Sequence, residues 1–199
     1  PGGDGAGVAG GARGVGGAGA KPAAAAGIGI TSTRPELGSG ALGTAGVRFA
    51  PVQGAAPDPH GRVHLFCHAD GGYYLLGVTL AAAGSLRWLR DTLFEGWSYD
   101  ALIDLAAGSE VGAAGVTFLP FLAGERTPYM DADLRGSWQG LSLASGRPEL
   151  VRSLLEGVAF SLRSALDVMR PLAPLNRALA TGGGSRSAPW SQLLCDAMG

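Results

Sequence analysis

Cysteine is scarce in this sequence. Of 199 residues only Cys67 and Cys195 are cysteine. Each sits inside an apolar segment with no framework spacing, which excludes a disulfide scaffold and reads as two reduced, buried thiols. An excess of charge is missing as well. The formal net charge is −1, and Lys and Arg are scattered rather than striped, so nothing draws nucleic acid or an anionic membrane to the surface. No apolar run reaches the roughly 18 residues of a membrane span, and the N-terminus lacks the basic-then-apolar order of a secretory signal. These absences predict a soluble, cytoplasmic protein. Two common nucleotide motifs are lacking too: no G-K-[ST] closes a phosphate loop, and no GxGxxG follows a strand with an acidic residue about twenty positions on.

What is present is apolar residue and glycine. A hydrophobic fraction of 46% over this length supplies a real core, for one large domain or two small ones. Ten of the first twenty residues are glycine, and Gly and Ala dominate onward to "RFAP". Such composition raises the entropy of ordering while offering little to bury, so a flexible linker is one reading of it. Against it, "GIGI" and "GVRFAP" alternate as short strands do, with "LGTAG" as a tight turn between strand-like pieces. The chain opens at Pro1 and stops at Gly199 directly after a helical pattern, which reads as a fragment.

From Arg62 the patterns are conventional. "VHLFCHA" is a strand candidate, and "YYLLGVTLAAAGSLRWLRDTLF" runs from strand to helix with Leu86, Leu89 and Leu93 at helical spacing. A second helix spans about Tyr99 to Ala107, capped by Ser98. "GVTFLPFLAGERTP" predicts a buried strand leading into a polar loop. The longest helix begins near Pro148, with Val151, Leu154, Leu155, Val158, Leu162, Ala165, Leu166 and Met169 on one stripe. Arg152 with Glu156, and Arg163 with Asp167, form i,i+4 pairs on the other face. "RALAT" is a strand, and Ser187 with Pro189 opens a last helix. Strands interleaved with helices give an α/β domain.

Three glycine-rich turns lie near strand ends: "GGDG" at Gly2–Gly5, "LGTAG" at Leu42–Gly46 and "GGGSRS" at Gly182–Ser187. Each can present backbone N–H groups to phosphate, and the third leads into a helix N-terminus with about half a positive charge. His60, His64, Cys67 and His68 invite a metal reading. On a strand, however, His64 and His68 share a face with Phe66 while Cys67 points the other way, so a structural strand is preferred and no metal ligand is assigned. Glu125, Arg126, Asp131 and Asp133 read as a solvated polar turn.

Four segments in order, "FCHADGGYYLLGVTLAAAGSLRWLRD", "FLPFLAGERTPYMDADLRGSWQGLSL", "LVRSLLEGVAFSLRSALDV" and "ATGGGSRSAPWSQLLCDAMG", resemble the C-terminal domain of the FGGY carbohydrate kinases, nearest their xylulokinase branch. The resemblance implies an actin-like, ribonuclease-H-like fold and transfer of the ATP γ-phosphate to a sugar hydroxyl, assisted by Mg²⁺. It places Gly182, Gly183 and Gly184 against the adenosine and α-phosphate, and Gly43 and Thr44 at the β- and γ-phosphates. The family's usual Ser is Ala45 here. The helix start from Ala83 to Arg87, with Gly84 and Arg87, is similar to one that lines the nucleotide cleft. Asp4 matches the aspartate that accepts the proton of the attacking hydroxyl, a role a carboxylate fills because a neutral hydroxyl is a poor nucleophile.

The implied domains are a Gly/Ala-rich segment at 1–61, with an insertion read at 13–38, and a nucleotide-binding domain at 62–199 that is incomplete at its C-terminus. The partners implied are a pentulose sugar and an N-terminal kinase domain, with neither nucleic acid nor membrane, and a homodimer is left open. The alternatives are a kinase for ribulose, glycerol or gluconate, and a non-catalytic truncated actin-like module.

Overall fold

The computed structural model describes residues 20–199. Asp4 and its turn lie outside the described residues. The described chain runs α1 (Ala20–Gly27), β1 (Leu37–Leu42), β2 (Gly46–Val52), β3 (His64–Cys67), β4 (Tyr73–Thr79), α2 (Ala83–Leu93), α3 (Tyr99–Ala107), β5 (Thr117–Leu119), β6 (Ser137–Gln139), α4 (Arg147–Met169), β7 (Arg177–Thr181) and α5 (Ala188–Met198). Five strands form one sheet in the order β3-β4-β2-β1-β7. Its pairs are antiparallel except β1 with β7, which run parallel from Leu37↔Arg177 to Ala41↔Thr181. That parallel pair brings the ends of β1 and β7 to the same edge of the molecule.

The sheet is covered on both faces, and the strand alternation explains how. On β2 and β4, Phe49 and Tyr74 face Ala25, Ile30 and Leu37, while Ala50, Val52 and Leu75 face Met169 and Ala173. Successive side chains of a strand point to opposite faces. All seven residues of β2 are buried, as a central strand between two layers requires. Two of the three inner strands, β1 and β2, therefore come from the 1–61 segment. Within 13–38, Ala20–Gly27 is a helix whose Ala25, followed by Ile30, lies on the sheet. "GIGI" is not a strand: Gly27 ends α1, and Ile28 and Ile30 donate back to carbonyls of the same turn. Alanine and glycine carry too little hydrophobic contrast for a period of 2 to mean a strand there.

The long helix α4 organises the other layer. Its eight-residue stripe is buried throughout, packing on α2, α3, α5 and the sheet. Glu149 reaches back to accept from the Gly146 N–H at 2.8 Å, and Pro148 opens the first turn. The two i,i+4 pairs form, Arg152 to Glu156 at 2.6 Å and Arg163 to Asp167 at 2.7 Å. The thiols are a correction: Cys67 and Cys195 are both exposed. Cys67 ends an edge strand, and Cys195 is on α5, whose one buried residue is Trp190. An apolar neighbourhood in sequence does not bury a residue on an element covered from one side only. Among the described residues no helix is long and apolar enough to cross a membrane.

Candidate functional site

The two glycine turns meet where β1 and β7 end. "LGTAG" is the loop of the β1–β2 hairpin, and "GGGSRS" is a 3₁₀ turn between β7 and α5. A cleft of about 620 Å³ opens between them, lined by Leu42, Gly43, Thr44, Ala83, Leu86, Arg87, Tyr99, Asp100, Ile103, Gly183, Gly184, Arg186, Ser187 and Trp190. Sequence-distant pieces from β1, α2, α3 and α5 thus share one wall.

The "LGTAG" turn is clamped from below by the start of α2. The Gly43 carbonyl accepts from the Ala83 N–H at 2.9 Å, and the Thr44 carbonyl accepts from Ala82 and Gly84 at 2.9 and 3.1 Å. These bonds satisfy N–H groups that otherwise lack partners at a helix start, and they leave the Thr44 hydroxyl at the cleft. Arg87, one turn into α2, donates to that hydroxyl at 3.3 Å. Gly84 is not a lining residue. A Cβ there would stand 2.8 Å from the Thr44 carbonyl oxygen, so its part is to let helix and turn approach.

The "GGG" turn answers to space in three ways. Gly182 has φ of +93°, and a Cβ on it would meet the Leu42 carbonyl oxygen at 2.7 Å. A Cβ on Gly184 would meet the Leu42 side chain at 2.5 Å, whereas on Gly183 it would meet nothing within 4 Å. Gly182 and Gly184 are therefore held by packing, and Gly183 presents bare backbone to the cleft. Beyond the turn, Ser187 caps α5 by accepting from the Trp190 N–H at 3.3 Å. Trp190 is buried, with its indole N–H turned to the Leu155 carbonyl.

Charge in the cleft is lopsided. Two guanidinium groups, Arg87 and Arg186, line it with one carboxylate, Asp100, and among the described residues neither arginine is in an ion pair. With the N-terminus of α5 adjoining, the wall favours a polyanion. Sequence reasoning missed Tyr99, Asp100 and Ile103. Their signal was the capped start of α3: Ser98 accepts from the Ala101 N–H at 3.1 Å and fixes the first turn at the cleft. The Arg90 guanidinium covers the Tyr99 ring at 4.4 Å.

Two other expectations meet the structure here. Glu125 is 1% exposed, which corrects the solvated-turn reading of its loop. Its carboxylate accepts from the Leu80 and Arg126 N–H groups, both at 2.8 Å, and from the Ser161 hydroxyl at 3.3 Å. Among the described residues no three His, Cys, Asp or Glu side chains converge as a metal site.

Residues 23–199 match the C-terminal domain of the FGGY family of carbohydrate kinases. The chain belongs to that family. It is 40% identical over 186 residues to a xylulose kinase of Klebsiella pneumoniae, covering 93% of this chain and 38% of the relative. To a xylulose kinase of Staphylococcus epidermidis it is 38% identical over 182 residues, covering 90% and 36%. A crystal structure titled "xyloylose kinase" from Brucella ovis superposes with a TM-score of 0.83 at 38% identity, covering 92% of this chain and 38% of that one. The fold is the actin-like, ribonuclease-H-like ATPase fold of the FGGY sugar kinases. The chain spans little more than a third of the length of the relatives it matches.

Proposed function

We propose that this chain forms the nucleotide-binding wall of an ATP-dependent sugar kinase that converts D-xylulose to D-xylulose 5-phosphate. The observation that carries the reading is the convergence of two glycine turns and two guanidinium groups, neither in an ion pair among the described residues, on one cleft. In this reading the bare backbone at Gly183 lets the adenosine lie flat, with Ile103 and Trp190 as apolar contacts. Thr44, Arg87 and Arg186 take the phosphates. The xylulose kinases named above support the substrate, and the sugar would be held by a companion domain.

Phosphoryl transfer asks the protein chiefly for positioning and charge neutralisation. Thr44, on a turn that α2 holds, provides positioning, and Arg87, on α2 itself, provides charge. Magnesium assists such transfer in general, but the described residues do not build a protein-held site for it. Asp4, outside the described residues, is proposed to accept the proton of the attacking hydroxyl.

The test is Gly183→Val, measured by ATP titration of the chain. A valine here meets open space, so thermal stability stays near that of the wild type while the side chain enters the cleft. ATP affinity is expected to fall at least about tenfold, or about 1.4 kcal/mol. Unchanged affinity would place the nucleotide elsewhere.

A further inference from the structure

Helix α2 carries two arginines one turn apart on the same face, and they reach different things. Arg87 donates to the Thr44 hydroxyl at 3.3 Å, at the end of the cleft assigned above to phosphate. Arg90, three residues on, lays its guanidinium over the Tyr99 ring at 4.4 Å from the centroid. Tyr99, the first residue of α3, lines the same cleft. The two contacts give the wall a direction: a cation beside a hydroxyl at one point, and an aromatic ring about one helical turn further along α2.

That ring is set in place by the protein itself. Asp91 accepts from the Arg90 Nε at 2.7 Å and lies 2.6 Å from its Nη2, so a carboxylate orients the guanidinium plane. A cation is drawn to the negatively charged face of an aromatic ring, which ties Tyr99 to Arg90 in turn. Ser98 accepts from the Ala101 N–H at 3.1 Å and fixes the turn of backbone that carries Tyr99. Among the described residues the tyrosine is still 41% exposed. A large ring that is oriented on one face but only partly buried contributes little to a core and offers a flat surface to a ligand.

We infer that Tyr99 is the platform on which the purine ring of the nucleotide stacks, with Arg90 as the residue that positions it. In the nucleotide reading above, on which this rests, Arg90 covers one face of the ring and the base takes the other, with the bare backbone of Gly183 lining the same cleft. Other side chains beside the base have little with which to read its edges. Leu86 and Ile103 are apolar, and the Trp190 indole N–H is turned to the Leu155 carbonyl. Stacking reads the area of a base, because every base has a π-face. The wall therefore selects a purine over a pyrimidine by ring area.

ATP and CTP separate these effects, since each base carries one exocyclic amino group and the two differ in the area of the ring. Inorganic tripolyphosphate supplies the charge without a base. Isothermal titration of the chain with each probe gives the three affinities. The wild type is expected to bind ATP at least about fivefold more tightly than CTP. Tyr99→Leu keeps an apolar side chain and removes the π-face. It is expected to weaken ATP by about tenfold, to shrink the preference over CTP to about twofold or less, and to leave tripolyphosphate unchanged. Tyr99→Phe should restore both the affinity and the preference. Arg90→Gln, which keeps a donor for Asp91 and loses the cation over the ring, should lower the preference part of the way.

Equal affinity of the wild type for ATP and CTP would overturn the platform without any variant. An unchanged preference in Tyr99→Leu would overturn it too, as would a loss of tripolyphosphate affinity as large as that of ATP, because the ring would then act through the phosphate side of the wall. A full preference in Arg90→Gln would remove the positioning role of Arg90. ATP binding that Gly183→Val leaves unchanged would remove the nucleotide reading and the platform with it. ATP binding that Gly183→Val weakens and Tyr99→Leu does not would remove the platform alone.

Discussion

Glu125 holds the passage from β4 into α2. Its carboxylate takes the Leu80 N–H, and two residues on the Ala82 N–H reaches the Thr44 carbonyl, so one buried side chain steadies the ground on which the "LGTAG" turn rests. Burial raises its pKa above the usual glutamate range, while the backbone and Ser161 bonds pull it back. A carboxylate whose pKa is raised in the folded state binds protons more tightly there. It therefore favours folding below its unfolded pKa, and that contribution is lost as pH rises through the folded value. Glu125→Gln keeps an acceptor for both N–H groups and removes the charge. It should be at least as stable as the wild type at pH 7, with a flatter dependence of stability on pH above the unfolded glutamate value. Glu125→Ala leaves the two N–H groups unpaired and should cost about 2–5 kcal/mol. Urea unfolding from pH 4 to 8 measures all three. A glutamine variant as unstable as the alanine one at pH 7 would show that the charge itself is required.

Helix α5 is tied to the core by Trp190, and its C-terminus is capped from outside. Arg163 donates to the Ala197 and Met198 carbonyls at 2.8 and 2.9 Å, and Arg170 to Met198 at 2.7 Å. Cations suit the negative end of a helix. At the other end Ser187 is the cap, and Ser187→Ala should cost about 1 kcal/mol in urea unfolding. Ser98→Ala, at the head of α3, should cost a similar amount. The two caps share no partner, so the double variant should lose the sum within about 0.5 kcal/mol. A much larger loss would mean that α3 and α5 are coupled across the cleft. The elements themselves differ in how far they could be read. For α4 the stripe was legible because leucine and valine contrast sharply with arginine and glutamate. The limits of α3 were legible because Ser98 and Gly108 punctuate it. For α1 nothing in "AKPAAAAG" marks a buried face. Its burial is supplied by Phe49 and Tyr74, residues that lie beyond any local window. The cleft shows the same division. Its glycine turns stood out as runs, whereas Tyr99, Asp100 and Ile103 reach it only through the packing of α3 on α4.

At the scale of the whole molecule, the cleft is one wall. Among the described residues its lining comes from the β1–β7 edge, with α2, α3 and α5 around it. Sugar phosphorylation needs the hydroxyl held in line with the γ-phosphate and water kept out, which closure around both substrates provides. The relatives named xylulose kinase are about two and a half times as long, so the matched portion accounts for 36–38% of them. Binding and turnover should therefore separate in the 199-residue chain. Isothermal titration should detect ATP binding without sugar, since Thr44, Arg87, Gly183 and Arg186 are already in place. A coupled assay for ADP release should find no xylulose phosphorylation by the chain alone, at saturating ATP and Mg²⁺. The added sugar should leave ATP affinity unchanged, because the described residues supply no second wall to link the two sites. Xylulose turnover by the purified chain would show that these residues close a complete active site and would overturn the one-wall reading.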